Sequence, residues 1–292
     1  MTDPVSVDAL RELIARAVPE PALRSFTESL ERCRPHWPLP QFLAAFTATA
    51  RVLGRLPLPA AEGVLRGADE LPLAGITADV AGRLALLLTL AHAAPHKLEE
   101  GVNAAYDEGD ALEKLAVVRS LSLLPEAQRF TRIALDAGRT NEVSLIRALA
   151  CRNPFPARHY DELAWNKLYM KSAFVDLPLD EIIGLSQRAN PELSRMALQY
   201  IEQQESAGRT FPPAMWLAVV AFPPPGAAGK LLGYLSHAVA EQRLGAARGL
   251  EQLAQARITS FVAERAGVET DERVRAVLAR IIPTFSPTFS KE

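Results

Sequence analysis

The chain has 292 residues, 49% of them hydrophobic and 23% charged, a balance that belongs to a folded chain with a sizeable core and excludes a disordered or membrane-spanning one. Thirty-two basic residues stand against 34 acidic ones, so the net charge of -2 provides no global electrostatic drive towards nucleic acid or anionic lipid. Net charge drifts from -4 over residues 1–109 through -1 over 110–208 to +3 over 209–292, a gradient too weak to name a partner. Two cysteines, Cys33 and Cys151, are too few and too far apart for a disulfide framework or a structural zinc site, and are read as buried free thiols. The opening Met1-Thr2-Asp3-Pro4 lacks a basic region followed by an apolar run. The longest apolar stretch, residues 84–94, is about half of the roughly 20 residues needed to cross a bilayer. A cytoplasmic protein without a membrane span is expected.

Apolar residues recur at three and four positions nearly throughout, and sustained alternation is absent, so the pattern predicts helix along the whole chain with no need of strands. In chain order, Pro19, Pro35, Pro38, Pro57, Pro72 and Pro95 punctuate an N-terminal helical part over residues 1–109. A second part over 110–283 opens on Asp110 with Glu113, a capping box in which each side chain satisfies an orphan backbone N–H. Further starts are predicted at Thr140 ahead of Asn141-Glu142, at Asn190 ahead of Pro191, and at Thr270 ahead of Asp271-Glu272. Gly109, Gly138, Gly208 and Gly267 fall where helices should stop. The helices run mostly ten to eighteen residues between short turns, which makes neighbours antiparallel, and residues 284–292 read as a tail. Val118-Arg119-Ser120-Leu121 is echoed by Ile146-Arg147-Ala148-Leu149, and Arg243-Leu244-Gly245-Ala246 by Arg273-Val274-Arg275-Ala276, at spacings of 28 and 30. These periods suit an all-α fold of the α-solenoid type, built from antiparallel HEAT-like hairpins as one continuous stack. An irregular helical bundle is the alternative.

His92 and His96, four apart with Glu99 and Glu100 nearby, have metal-ligand spacing on a single helix. Pro95 is expected to begin a new element and separate them, so neither a metal site nor a cofactor is predicted. Pro225-Gly226-Ala227-Ala228-Gly229-Lys230 is too short for a phosphate loop, and Leu231 stands where magnesium would need Ser or Thr. It reads as a linker opening a helix. Nucleophile-elbow, paired-cysteine and dinucleotide-binding patterns are absent.

Residues 153–190 differ in character. Asn153-Pro154-Phe155-Pro156-Ala157-Arg158-His159-Tyr160 leads into a helix carrying Trp165, Asn166, Lys167 and Lys171, concentrating aromatics in a chain with only 7% of them. The two prolines predict an extended approach, and the helix from 160 to 175, apolar around most of its circumference, reads as an interior one. Lys167 and Lys171 share a face with no acid three or four residues from either. The ordinary reading is a packed aromatic face beside a solvated lysine stripe. The sharper one is a pocket for an anionic or polar small molecule, lined by Asn153, Arg158, His159, Tyr160, Trp165, Asn166, Lys167 and Lys171.

At these residues the chain resembles the EboA family. The resemblance rests on the run from Leu124-Pro125 to Arg129-Phe130, on Arg139-Thr140-Asn141, on Asn153 to Tyr160, on Leu163 to Lys171, and on Arg188-Ala189-Asn190-Pro191-Glu192-Leu193 with Met196. It covers the middle third of the chain well, and the Asn-Pro-aromatic-Pro-Ala block followed by a Trp-Asn helix is its most specific part. The family is helical and is encoded with a prenyltransferase-like membrane protein, a sugar-phosphate-cyclase-like protein and metal-hydrolase-like barrels, a set linked in cyanobacteria to moving a sunscreen precursor towards the periplasm. The resemblance implies an accessory role beside pathway enzymes encoded nearby and carries over no catalytic residue.

The first functional expectation is therefore a non-catalytic cytosolic binding or scaffold protein accessory to metabolite biosynthesis or export. The alternative is a helical enzyme acting on an anionic small molecule, with His159 moving a proton and Lys167 and Lys171 steadying the substrate. DNA binding by a basic concave face is a third reading, disfavoured by the near-neutral charge.

Overall fold

The computed structural model describes residues 7–34, 36–59, 63–253 and 259–282. The opening Met1-Thr2-Asp3-Pro4 and the expected tail at 284–292 lie outside the described residues. Internal contacts divide the chain into two units, residues 1–165 with 181–183, and residues 166–180 with 184–292.

The first unit contains α1 (Val7–Ala17), α2 (Glu20–Cys33), α3 (Leu39–Leu53), strands β1 (Val64–Arg66) and β2 (Glu70–Pro72), then α4 (Ala78–Ala93), α5 (Leu98–Asp107), α6 (Ala111–Ser120), α7 (Thr131–Arg139), α8 (Val143–Ala150) and α9 (Phe155–His159). Helix α10 (Glu162–Phe174) contains the division between the units. The second unit continues through α11 (Leu185–Arg188), α12 (Pro191–Ser206), α13 (Met215–Ala221), α14 (Ala227–Tyr234), α15 (Ala240–Leu253), α16 (Thr259–Val268) and α17 (Glu272–Ile281). The chain is mostly helical, as the periodicity predicts. The helix expected behind Pro225-Gly226 opens at Ala227, with Gly226 in the left-handed region at φ +87°. Asp110 and Glu113 form the predicted capping box, and Asn190 caps α12 ahead of Pro191. At the last start the cap is Asp271 and not Thr270, because the Asp271 carboxylate reaches both the Arg273 and Val274 amides.

The expectation of helix throughout fails at residues 64–72. Leu65 and Leu71 face each other across an antiparallel pair whose outer positions hold Arg66 and Glu70, joined by an ion pair at 3.1 Å. Each strand alternates for only three residues, too briefly to register against the helical background. The hairpin turn is pinned from below, the Asp69 amide donating to Ser122 O at 3.0 Å and the Ala68 amide to Leu123 O at 3.4 Å.

Helix α4 is the core of the first unit. Every residue from Ala78 to Ala91 is buried, the polar Asp79, Arg83 and Thr89 included, and α1, α3, α5 and α6 pack on it. Each of its leucines contributes about 2 kcal/mol by leaving water. Helix α6 packs on α4 and on α8. In the second unit α13 packs on α12 and α15, and α15 on α17. Gly245 lets α15 pass close to the turn ahead of α13, since a Cβ there would stand 2.6 Å from Pro213 O.

Among the described residues, three helices carry a buried arginine. Arg83 of α4, 1% exposed, donates to Phe46 O and lies between Asp79 and Glu113. Arg119 of α6 donates through Nη1 to Cys151 O at 2.9 Å and Arg152 O at 3.2 Å, and through Nη2 to Ala74 O at 3.4 Å. Burial, reinforced by repulsion from Arg152, pulls its pKa down to about 10, which leaves it charged at neutral pH. Arg243 of α15 forks onto Glu269 at 2.8 and 2.9 Å and donates to His237 O and Ala238 O. Glu269 also takes Arg265 and the Thr270 and Asp271 amides. Such groups are tolerated inside only because the desolvation cost is offset by nearly complete pairing.

The Arg243 fork, against the opposing effect of burial and with the help of the Asp271 amide and Arg265, holds the Glu269 pKa down at about 2. A folded-state pKa below the unfolded one adds stability that is complete above the unfolded pKa and is lost as protons bind, here between about pH 5 and 2. Glu269→Gln is expected to cost about 3 kcal/mol at pH 7 and to flatten the fall of urea stability across that acid window. An unchanged acid limb in the variant would contradict this assignment.

Candidate functional site

The segment singled out by sequence begins where α8 ends. Cys151 forms an isolated antiparallel bridge with Ile182, and Arg152, at φ +52°, takes Glu181 O through its amide and the Glu181 carboxylate through its guanidinium. Asn153, 1% exposed, follows as a corner bracket. Its Nδ2 donates to Val118 O at 3.2 Å and Ala148 O at 3.0 Å, while its Oδ1 accepts the Phe155 amide at 3.0 Å. That last bond turns the chain directly into α9, so the extended approach predicted from the double proline does not occur. Pro154 is already helical in backbone and Pro156 lies in the first turn, where its missing N–H costs nothing.

Arg158 is exposed and pairs with Asp69 of the hairpin turn at 3.1 Å. The His159 ring lies 4.6 Å from that of Phe155. Its Nε2 is buried without a hydrogen-bond partner among the described residues, and burial lowers its pKa against the pull of Asp69. Tyr160 is buried, and burial raises its phenol pKa. Asp161 then caps α10 by accepting the Ala164 amide at 2.7 Å.

Helix α10 is buried on one face only. Trp165, Asn166, Leu168, Tyr169, Ser172 and Ala173 lie inside at helical spacing, while Leu163, Lys167 and Phe174 are exposed and Lys171 is half-buried. The interior helix expected from its apolar circumference is therefore a half-buried one, because nothing covers the stripe of Leu163 and Phe174, 63% and 75% exposed, among the described residues. Asn166 points inward and exchanges amide hydrogen bonds with Asn190 at 2.9 and 3.1 Å, and Asn190 in turn caps α12. Of the eight predicted site residues, Asn153, Asn166, Tyr160 and Trp165 are buried, whereas Arg158 and Lys167 face solvent. Asn153 and Asn166 spend their polar atoms on other parts of the fold. No group of three or more His, Cys, Asp or Glu among the described residues is arranged to hold a metal ion.

A second place in the first unit has the shape of a binding site. A cavity of about 500 Å³ is walled by Leu88 and Ala91 of α4, Pro95, Leu98, Leu123 and Pro125, and closed on one side by Gly67 and Ala68 of the hairpin turn. That volume lies within the usual range for small-molecule pockets. His92, Glu126 and Arg129 complete the lining. Glu126 sits at φ +51°, a backbone conformation that a non-glycine residue holds at a cost. Arg129 pairs with Glu99 across the rim and with Glu126 at 3.6 Å. His92 Nδ1 lies 2.7 Å from Leu88 O one turn back on α4. Pro95 opens a short 3-10 turn, separating His92 from His96 as the sequence predicts. Sequence reasoning missed this cavity, although Pro125, Glu126 and Arg129 belong to the run that carries the family resemblance.

Among the described residues no helix is long and apolar enough to cross a membrane. None of the curated proteins and none of the solved structures matches the chain. A family model described as metabolite traffic protein EboA matches residues 6–220, a span that contains both the cavity and the whole Asn153–Asn190 segment. Matched over well more than half of its length, the chain belongs to the EboA family.

Proposed function

We propose that this chain is a non-catalytic cytoplasmic binding protein serving a metabolite biosynthesis or export pathway, and that the first unit's cavity is where it holds a small molecule. The observation that carries the reading is the cavity's lining: apolar walls, with Arg129 already paired to two carboxylates and His92 Nδ1 tied to its own helix, which suit holding a ligand more than transforming it. Membership of a metabolite traffic family agrees with this role.

The architecture we favour remains a HEAT-like hairpin stack. It is supported by the succession of α4, α6 and α8 in one unit and of α13, α15 and α17 in the other, each helix packed on the next. The predicted segment then serves as a surface for pathway proteins or an anionic group, with Arg158, Lys167 and Lys171 as its cations. The enzyme alternative retains one favourable observation, the unpartnered His159 Nε2, which is the atom a proton-transfer role would use.

Untargeted mass spectrometry of small molecules retained on the purified full-length protein tests the proposal, with Ala91→Trp as the control that fills the cavity. A metabolite retained by the parent chain, lost in the variant and recovered chemically unaltered is expected. Retention undiminished by the bulky side chain, or conversion of the retained molecule, contradicts it. Lys167→Ala, at an exposed position of α10, is expected to shift unfolding free energy by no more than about 0.5 kcal/mol, as surface changes do, and to leave that retention unchanged. Loss of retention at unchanged stability would move the binding site to α10.

A further inference from the structure

The same cavity discriminates by charge, and this inference rests on the reading that it is the ligand chamber. Counting its lining residues with their direct ion partners, Arg129 supplies one positive charge while Glu99 and Glu126 supply two negative ones. An incoming anion therefore meets an arginine that is already neutralised and a rim with one negative charge in excess. A carboxylate or phosphate would have to displace Glu99 or Glu126 from Arg129 and leave that displaced charge facing its own. An amine gains at the same rim.

His92 adds a directional element. Leu88 O can only accept, so His92 Nδ1 carries the hydrogen of the 2.7 Å bond, and the neutral imidazole then offers Nε2 as an acceptor. The Glu126 carboxylate is likewise acceptor only. Besides the Arg129 guanidinium, a donor already turned to Glu99 and Glu126, the polar lining side chains offer acceptors to a ligand, set against the apolar walls of Leu88, Ala91, Leu98 and Leu123. We infer that the cavity takes a neutral or cationic ligand, an apolar body bearing an O–H or N–H donor, and rejects its anionic counterpart. This is the opposite selectivity to that expected of the lysine pair on α10.

Isothermal titration of the full chain at low ionic strength with 2-naphthol, 2-naphthylmethylamine and 2-naphthoate tests the inference, because the three probes share one apolar body. The alcohol and the amine are expected to bind about tenfold or more tightly than the carboxylate, and Glu126→Gln should narrow the amine-to-carboxylate ratio. Ala91→Trp should abolish binding of every probe. Ala68→Trp, on the exposed hairpin turn, repeats that test at a position where folding does not depend on the side chain. Naphthoate binding as tightly as the amine, yet blocked by either tryptophan, overturns the charge selectivity and leaves the cavity as the chamber. No binding of any probe, or binding indifferent to both tryptophans, overturns the chamber itself.

Discussion

The first unit is organised by the carbonyl groups at the end of α6. A chain that leaves a helix inside a protein exposes carbonyls that have lost their helical partners, and each must find a donor or be destabilising. Here the donors come from three other segments. The Val118 carbonyl takes Asn153, while Ser122 and Leu123 take the Asp69 and Ala68 amides of the hairpin. In the reverse direction Arg119 sends its guanidinium to Cys151, Arg152 and Ala74. The hairpin that closes one side of the cavity and the Asn153 corner that starts α9 are thus held by one turn of helix. Arg243 repeats the device in the second unit, where it gathers the carbonyls of His237 and Ala238 together with Glu269.

Local chemistry was legible from sequence where it is satisfied locally. The Asp110–Glu113 box, the Asn190 cap before Pro191 and the Pro95 break between two histidines all follow from residues within a few positions of one another. The short echoes fall on helices that pack together, α6 with α8 and α15 with α17. What those echoes conceal is that Arg119 and Arg243 are buried clamps, whereas the matching Arg147 and Arg273 are each 57% exposed. The difference depends on which loop comes to lie over each arginine, information that a four-residue pattern does not contain.

The misjudged elements have the same origin. The hairpin is fixed by bonds to residues 122 and 123, half a hundred positions away, and its own alternation is too short to announce it. Phe155 is helical although it precedes Pro156, and its amide is held by the Asn153 side chain. Asn153 and Asn166, which the sequence offers as candidate ligand groups, also serve as brackets of the fold, a role set by carbonyl and amide partners far along the chain. The cavity, assembled from α4, the turn before α5, the hairpin and residues 123–129, has no contiguous signature at all.

The end of α6 carries one wall of the cavity, and the Arg119 clamp is what fixes that end in place. Native-state hydrogen exchange on Arg119→Met measures it directly. The amides of Asp69 and Phe155, both held by groups tied to the end of α6, are predicted to lose protection by about tenfold or more, while the Leu193 amide under the Asn190 cap keeps its own. Unaltered protection at Asp69 and Phe155 in a variant that still folds would show that the turn stands without its arginine, and would contradict the account.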